Sequence, residues 1–367
     1  MKKYNVAVVG VGAVGIEMLR VLKQRNFPVG ELRVFARSAR QIDVDGEKYT
    51  VEAISPDGFK GMDIALFAGT EGEKGAAVTY AEEAVKRGAV VVDNGADFRL
   101  DPKVPLVIPE VNPEDVNPVR NWLLAQKHRP EGRGLASFRQ SHKGIIANPN
   151  CSTIQMVVAL WPIYKKVGIK RVVVTTLQAA SGAGRGAVQQ LWNETEEIIS
   201  RRQKNQPSVC CDSSSERALP QQIAFNVFPH LGSFMEEDYT SEEWKLVRES
   251  HKIMHDDKIN ISATTVRVPV RTGHSESIYI ETGKPIEPEE AKEILSGSPG
   301  IIVIDDPKNK LYPMPFDLEG KDEVFVGRIR RDPFVKCGLW LWVVADNLRK
   351  GAATNAIQIA EVLIKKS

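Results

Sequence analysis

Chemistry is most concentrated in Asn148-Pro149-Asn150-Cys151-Ser152-Thr153, where a thiol directly precedes the apolar run Ile154 to Ile163. The spacing of that run predicts a helix broken at Pro162, with Cys151 at or near its N-terminus. Unpaired N–H groups and the helix dipole stabilise a thiolate there, which lowers the thiol pKa and makes the sulfur nucleophilic near neutral pH. The competing reading is a buried, inert cysteine. His274, in Gly273-His274-Ser275-Glu276, follows the alternating strand Thr264 to Val270 and is a proton carrier or a structural histidine. That strand carries Arg267. Glu242 and Lys245 lie three apart on one face of a helix that Ser241 or Thr240 caps, as a functional pair or as a surface ion pair.

Two glycine-rich turns accompany these groups. Gly10-Val11-Gly12-Ala13-Val14-Gly15 fits GxGxxG between the β-rich run Tyr4 to Val9 and the helical spacing of Ile16 to Arg25. Glycines there permit the tight turn and let a pyrophosphate approach backbone N–H groups at a helix start. The second strand ends in Ala36-Arg37-Ser38-Ala39-Arg40, with no acid to hold an NAD ribose. A guanidinium and a hydroxyl suit a 2′-phosphate, so NADP is the expected cofactor unless Arg37 and Arg40 are merely solvated. The other turn, Ala179 to Gly186, follows the strand Val172 to Leu177 and either approaches a cofactor or acts as a hinge.

The positioning elements alternate in the first half. Leu32 to Ala36, Ile64 to Ala68 and Val90 to Asp93 are short apolar runs, with a helix over Gly75 to Lys86, and this alternation implies a parallel sheet with helices on both faces. A chain of 367 residues with 42% hydrophobic content has room for two or so domains. Its formal net charge of +2 argues against a nucleic-acid or anionic-membrane partner. Apolar stretches such as Val6 to Val14 are too short for a membrane span, and the start lacks a secretory pattern, so a cytoplasmic location is expected. The four cysteines, Cys151, Cys210, Cys211 and Cys337, form no CxxC pair or zinc-spaced cluster, so no metal is expected. Cys210-Cys211 and Ser213-Ser214-Ser215 read as exposed loop.

Taken in order, these stretches resemble aspartate-semialdehyde dehydrogenase along nearly the whole chain. The resemblance is carried by Gly144 to Thr153, Gln178 to Gly184, Arg267-Val268-Pro269-Val270 with His274-Ser275-Glu276, and Val344 to Ala352. It implies NADP-dependent interconversion of aspartate 4-semialdehyde plus phosphate with 4-phosphoaspartate, on the route to lysine, threonine and methionine. By the same resemblance Cys151 is the nucleophile, His274 the acid/base catalyst and Gln178 the residue that orients the acyl group. Arg267 forks the substrate carboxylate, Glu242 holds its ammonium, and Arg99 and Lys245 bind phosphate. Cofactor contacts fall to Arg37, Ser38, Ser181, Gly182 and Asn347, beside the Gly10, Val11, Gly12, Ala13 and Val14 that the GxGxxG pattern itself offers. Rivals are an N-acetyl-glutamyl-phosphate reductase, whose cysteine motif resembles GCYPT, and a non-catalytic paralogue.

The glycine turn is one residue shorter than the family's usual GAxGxVG, and Val119 to His142 is an insertion, read as a surface excursion or as a lid or subunit contact. The expected fold class is α/β. An N-terminal Rossmann-type dinucleotide-binding domain, 1–149 completed by 347–367, is joined to an α+β catalytic and dimerisation domain with a mixed sheet, 150–346. The partners implied are small-molecule substrates and further copies of the chain, as a homodimer or tetramer.

Overall fold

The computed structural model describes residues 2–69, 75–126, 143–204 and 218–365. Cys210, Cys211, the three serines after them and positions 127–142 of the insertion lie outside these. The chain divides into two compact units, one made of the described parts of Met1–Asn150, Lys252–His255 and Gly351–Ser367, the other of Cys151–His251 and Asp256–Lys350.

The first unit opens with β1 (Tyr4–Val9), α1 (Ala13–Gln24), β2 (Val29–Ala36), β3 (Arg40–Val44), β4 (Glu47–Ala53) and β5 (Ile64–Phe67). It continues with α2 (Ala76–Lys86), β6 (Val90–Asp93), α3 (Asn117–Gln126) and β7 (Ile145–Ala147). The sheet runs in the order β3-β4-β2-β1-β5-β6-β7. In its central strands Val6 to Val9 of β1, all of β5 and Val90 to Val92 of β6 are unbroken apolar runs because both faces are covered. One part departs from the all-parallel expectation: β3 and β4 pair antiparallel, and Arg40 opens β3 rather than lying in a loop. Asp45 and Gly46 at the hairpin turn both have positive φ, 55° and 84°, as a two-residue type I′ turn requires. The start of the insertion is not a surface excursion, since Val119 and Leu123 of α3 are fully buried.

The second unit comprises α4 (Cys151–Val167), β8 (Ile169–Gln178), α5 (Arg185–Gln203), α6 (Ser241–Met254), β9 (Asn260–Arg267) and β10 (His274–Thr282). α7 (Pro288–Ser296), β11 (Ile301–Val303), α8 (Pro315–Leu318), β12 (Val324–Arg331) and β13 (Gly338–Ala345) complete it. The mixed sheet has the order β11-β12-β13-β10-β8-β9, with α4 packed across β8, β10, β12 and β13. α4 is not broken at Pro162. It continues to Val167, because the cost of one missing N–H is outweighed by the burial of nearly every residue from Ser152 to Leu160. β9 starts earlier than the sequence suggests and stops at Arg267, as Pro269 has no N–H for a ladder. The chain then returns to the first unit as α9 (Thr354–Ile364), whose Ile357, Ala360 and Leu363 are fully buried. Among the described residues no helix is long and apolar enough to cross a membrane.

Candidate active site

Strand register assembles the centre of the second unit. β8 and β9 run parallel with Gln178 opposite Arg267, and β8 and β10 run antiparallel with Thr176 opposite Glu276. Side chains of a strand share a face every second residue, so His274, Gln178 and Arg267 form one row across three adjacent strands. Glu276, Thr176 and Thr265 form the row beneath it. All six are buried.

Helices bring the remaining groups to this face. Cys151 is the first residue of α4, in no disulfide and partly exposed. Glu242 sits in the first turn of α6, where its carboxylate accepts from Gln178 Nε2 at 3.2 Å and from Lys245 Nζ at 3.3 Å. With Glu242 only 9% exposed, this is no surface ion pair. Thr240 is the cap of α6. Its hydroxyl accepts from the N–H of Glu243 at 3.3 Å, while Glu243 Oε2 accepts from the N–H of Thr240 at 2.7 Å, a reciprocal capping box. Glu243 Oε1 also accepts from the N–H of Thr265 at 2.9 Å, which pins the helix start to β9.

His274 is fully buried, and its Nδ1 accepts from the backbone N–H of Ala179 at 3.1 Å. With that lone pair engaged, the neutral ring carries its proton on Nε2, which is buried without a partner. Desolvation, and then the Arg267 charge, push the imidazole pKa down to about 3 against a weaker opposing pull from Glu242. Arg267 donates from Nη1 to the Ala179 carbonyl at 2.6 Å, and its Nε is buried without a partner. Burial lowers its pKa, opposed by the charges of Glu242 and Cys151. A desolvated guanidinium with a donor to spare is suited to a carboxylate.

Asn347, just after β13, ties two loops together. Its Oδ1 accepts from Ser181 Oγ at 3.0 Å and from the Gly273 N–H at 2.9 Å. Gly182 in the same glycine-rich turn lies against the site, since a Cβ there would stand 3.0 Å from His274 Cε1 and 3.1 Å from Arg267 Nη1.

The first unit holds the other expected residues. Gly10 has φ 98°, and a Cβ on Gly15 would stand 1.9 Å from the Gly10 carbonyl oxygen, so this turn admits only glycine at Gly15. Gly12 caps α1 with open space where its Cβ would be, no side chain caps the helix, and its first turn has no acid. Such an N-terminus fits a dinucleotide pyrophosphate. Arg37 and Ser38 are exposed just beyond β2, where Arg40 Nη1 donates to the Ser38 hydroxyl at 3.3 Å. Arg99 is buried and donates to the carbonyls of Asn148 and Asn94 at 3.0 and 2.8 Å. Lys252 donates to the carbonyls of Arg99, Asp101 and Val104 at 2.7 to 2.8 Å and so fixes that loop. Asn355 on α9 donates to Asn148 Oδ1 at 2.7 Å, steadying the segment that leads to Cys151.

Residue types missed this second set. Ala179 acts through its backbone, and Lys252 is distant in sequence from its carbonyls. Glu243 was detectable as the fourth residue of Thr240-Ser241-Glu242-Glu243, and Glu276 by its two-residue spacing from His274.

Comparisons with known proteins bear on this geometry. Residues 5–118 match the semialdehyde dehydrogenase NAD binding domain and residues 160–350 the semialdehyde dehydrogenase dimerisation domain. The chain is 51% identical to aspartate-semialdehyde dehydrogenase of Aquifex aeolicus, covering 99% of this chain and 98% of that one. This chain belongs to the aspartate-semialdehyde dehydrogenase family. It is likewise 45% identical to aspartate-semialdehyde dehydrogenase of Bacillus subtilis, over 98% of this chain and 97% of the relative. A crystal structure of aspartate semialdehyde dehydrogenase II from Vibrio cholerae, complexed with ASA, superposes with a TM-score of 0.85 at 41% identity, covering 99% of each chain. The α/β fold with its two domains and mixed second sheet is thus that of aspartate-semialdehyde dehydrogenases, and the N-acetyl-glutamyl-phosphate reductase reading falls away. The chain is an oxidoreductase with an NAD(P)-binding domain.

Proposed function

We propose that the protein interconverts aspartate 4-semialdehyde, phosphate and NADP⁺ with 4-phosphoaspartate and NADPH, through a thioester on Cys151. The row of His274, Gln178 and Arg267 under the first turn of α4 carries this reading. A thiolate at a helix N-terminus attacks an acyl phosphate and later leaves from carbon, which divides one difficult acyl transfer into two easier steps. Arg267 Nε and Nη atoms fork the substrate carboxylate, Glu242 takes its ammonium, and Gln178 orients the acyl group. Arg99 and Lys245 carry the phosphate role that the family resemblance gives them.

His274 serves this reaction as a neutral ring. Its Nε2–H donates to the carbonyl oxygen of the thioester and stabilises the charge that develops there, releasing its hold as the thiohemiacetal collapses to aldehyde and thiolate. When bound, the nicotinamide cofactor supplies or accepts the hydride. Gly10 to Val14 hold its pyrophosphate, Ser181, Gly182 and Asn347 shape the nicotinamide side, and Arg37 with Ser38 reads a 2′-phosphate, which favours NADP over NAD.

Assembly as a homodimer, or a tetramer built from such dimers, is supported by the side of the second sheet turned away from α4. Tyr279 and Trp340 meet there at 5.0 Å with their rings tilted by 46°, and beside Trp342 and Arg330 a cavity of about 440 Å³ is lined by Tyr312 and Met314.

The test is NADPH formation from aspartate semialdehyde and NADP⁺ by purified protein, with and without inorganic phosphate. Phosphate-dependent formation is expected. A folded protein that forms NADPH equally well without phosphate has a hydrolytic deacylation step, and one that forms none lacks the reaction.

A further inference from the structure

The lower row of the site contains a group the reaction leaves unused. β10 alternates, so Glu276 lies two residues below His274 on the face that α4 covers, along with Ile278 and Ile280. α4 repeats every turn, so Gln155 lies one turn below Cys151. Both side chains are at most 1% exposed. The Gln155 amide faces the Glu276 carboxyl and lowers its pKa, but burial dominates, holds the carboxyl well above the ordinary carboxylate range and so favours the neutral acid. Neither carboxyl oxygen nor either Gln155 amide atom has a partner at full hydrogen-bond geometry.

A buried acid and amide that bond incompletely cost stability relative to apolar side chains of the same volume. Val343 on β13 and Thr176 on β8 stand opposite Glu276 and isoleucines follow it on β10, yet none of these gives its carboxyl a hydrogen-bond partner. What apolar packing lacks is direction. The contact of α4 with the sheet is largely apolar and tolerates small axial or rotational shifts, whereas a carboxyl O–H facing an amide oxygen, with the amide N–H facing the carbonyl oxygen, has one best register.

We propose that Glu276, buried against Gln155 between β10 and α4, is a positioning residue that sets α4, and with it Cys151, at a fixed offset from His274 on β10. The inference rests on the thioester reaction assigned above, in which one carbonyl must meet both the sulfur of Cys151 and Nε2–H of His274. A displacement of about 1 Å between such groups costs on the order of 10²-fold in rate.

The experiment compares the parent with Glu276→Met, Gln155→Met and Glu276→Gln, reading kcat, KM for aspartate semialdehyde, the melting midpoint, and the iodoacetamide alkylation rate of Cys151 followed on its own peptide. Either Met substitution is expected to lower kcat on the order of 10²-fold while KM stays within about threefold. The melting midpoint should hold or rise, because a strained polar pair has been replaced by apolar volume. Glu276→Gln keeps a polar partner for Gln155 and should return most of the lost kcat. A Met variant with parental kcat overturns the proposal, as does a Glu276→Gln protein as slow as Glu276→Met, which would make the carboxyl proton itself a participant. If Glu276→Met does not fold, Gln155→Met and Glu276→Gln decide by the same criteria. Alkylation needs no substrate, so a parental alkylation rate in both Met variants counts against the pair, whereas a parent without turnover counts against the assigned reaction.

Discussion

The N–H of Ala179 donates to Nδ1 of His274 across 3.1 Å, so one backbone amide sets the tautomer of the buried imidazole. The ring is thereby presented to the site as an Nε2–H donor, and desolvation with the Arg267 charge keeps it neutral down to about pH 3. The folded pKa lies below the unfolded value of 6.5, so on acidification the unfolded chain takes this proton first. Stability tied to His274 is complete above pH 6.5 and falls by about 1.4 kcal/mol per unit as pH drops below it. Nitrogen-15 spectra of the histidines test this directly: His274 should keep a pyridine-like Nδ1 from pH 8 to 5. A midpoint near 6.5 for that ring would refute the tautomer assignment.

Gly182 has no positive φ, so an added methyl group there acts through its nearest neighbours, His274 and Arg267. Gly182→Ala should lower kcat by about tenfold or more as the imidazole and guanidinium shift. Its melting midpoint should stay level or rise slightly, since the unfolded chain loses freedom. Steady-state kinetics beside a thermal melt check both, and a parental kcat would mean that the turn yields without disturbing the site.

The capping box joins stability to substrate binding. Thr240→Ala removes the acceptor for the Glu243 N–H and should cost about 1 kcal/mol, read by urea unfolding. Because Glu242 lies inside the same first turn, KM for aspartate semialdehyde should rise several-fold. Lost stability with an unchanged KM would separate the cap from the site.

Arg37→Ala should weaken NADP far more than NAD, since only NADP carries the 2′-phosphate that a guanidinium forks. Titration of each cofactor gives the ratio of the two losses. Equal losses would remove Arg37 from cofactor discrimination.

Several of these features follow from sequence alone, because they depend on local order. GxGxxG after Tyr4 to Val9 marks a turn whose glycines are required by near-neighbour sterics, and the close approach of Gly15 to Gly10 bears this out. A thiol before an apolar helical run marks a helix start, and Cys151 opens α4. The parallel core of the first sheet was legible in the alternation of short apolar runs with helical spacing, whereas the second domain was expected from the family resemblance.

Other features came only with tertiary structure. Burial decided that α4 would run through Pro162, against the local preference of proline. Strand register decided that Gln178 and Arg267, 89 positions apart, stand side by side with His274 in the next strand. No periodicity within a strand reveals which residue of another strand lies opposite. The raised pKa of Glu276 and the tautomer of His274 arise from exclusion of water and from one backbone N–H. These are properties of the packed interior, since a carboxyl or an imidazole in an open chain meets water and keeps its ordinary pKa.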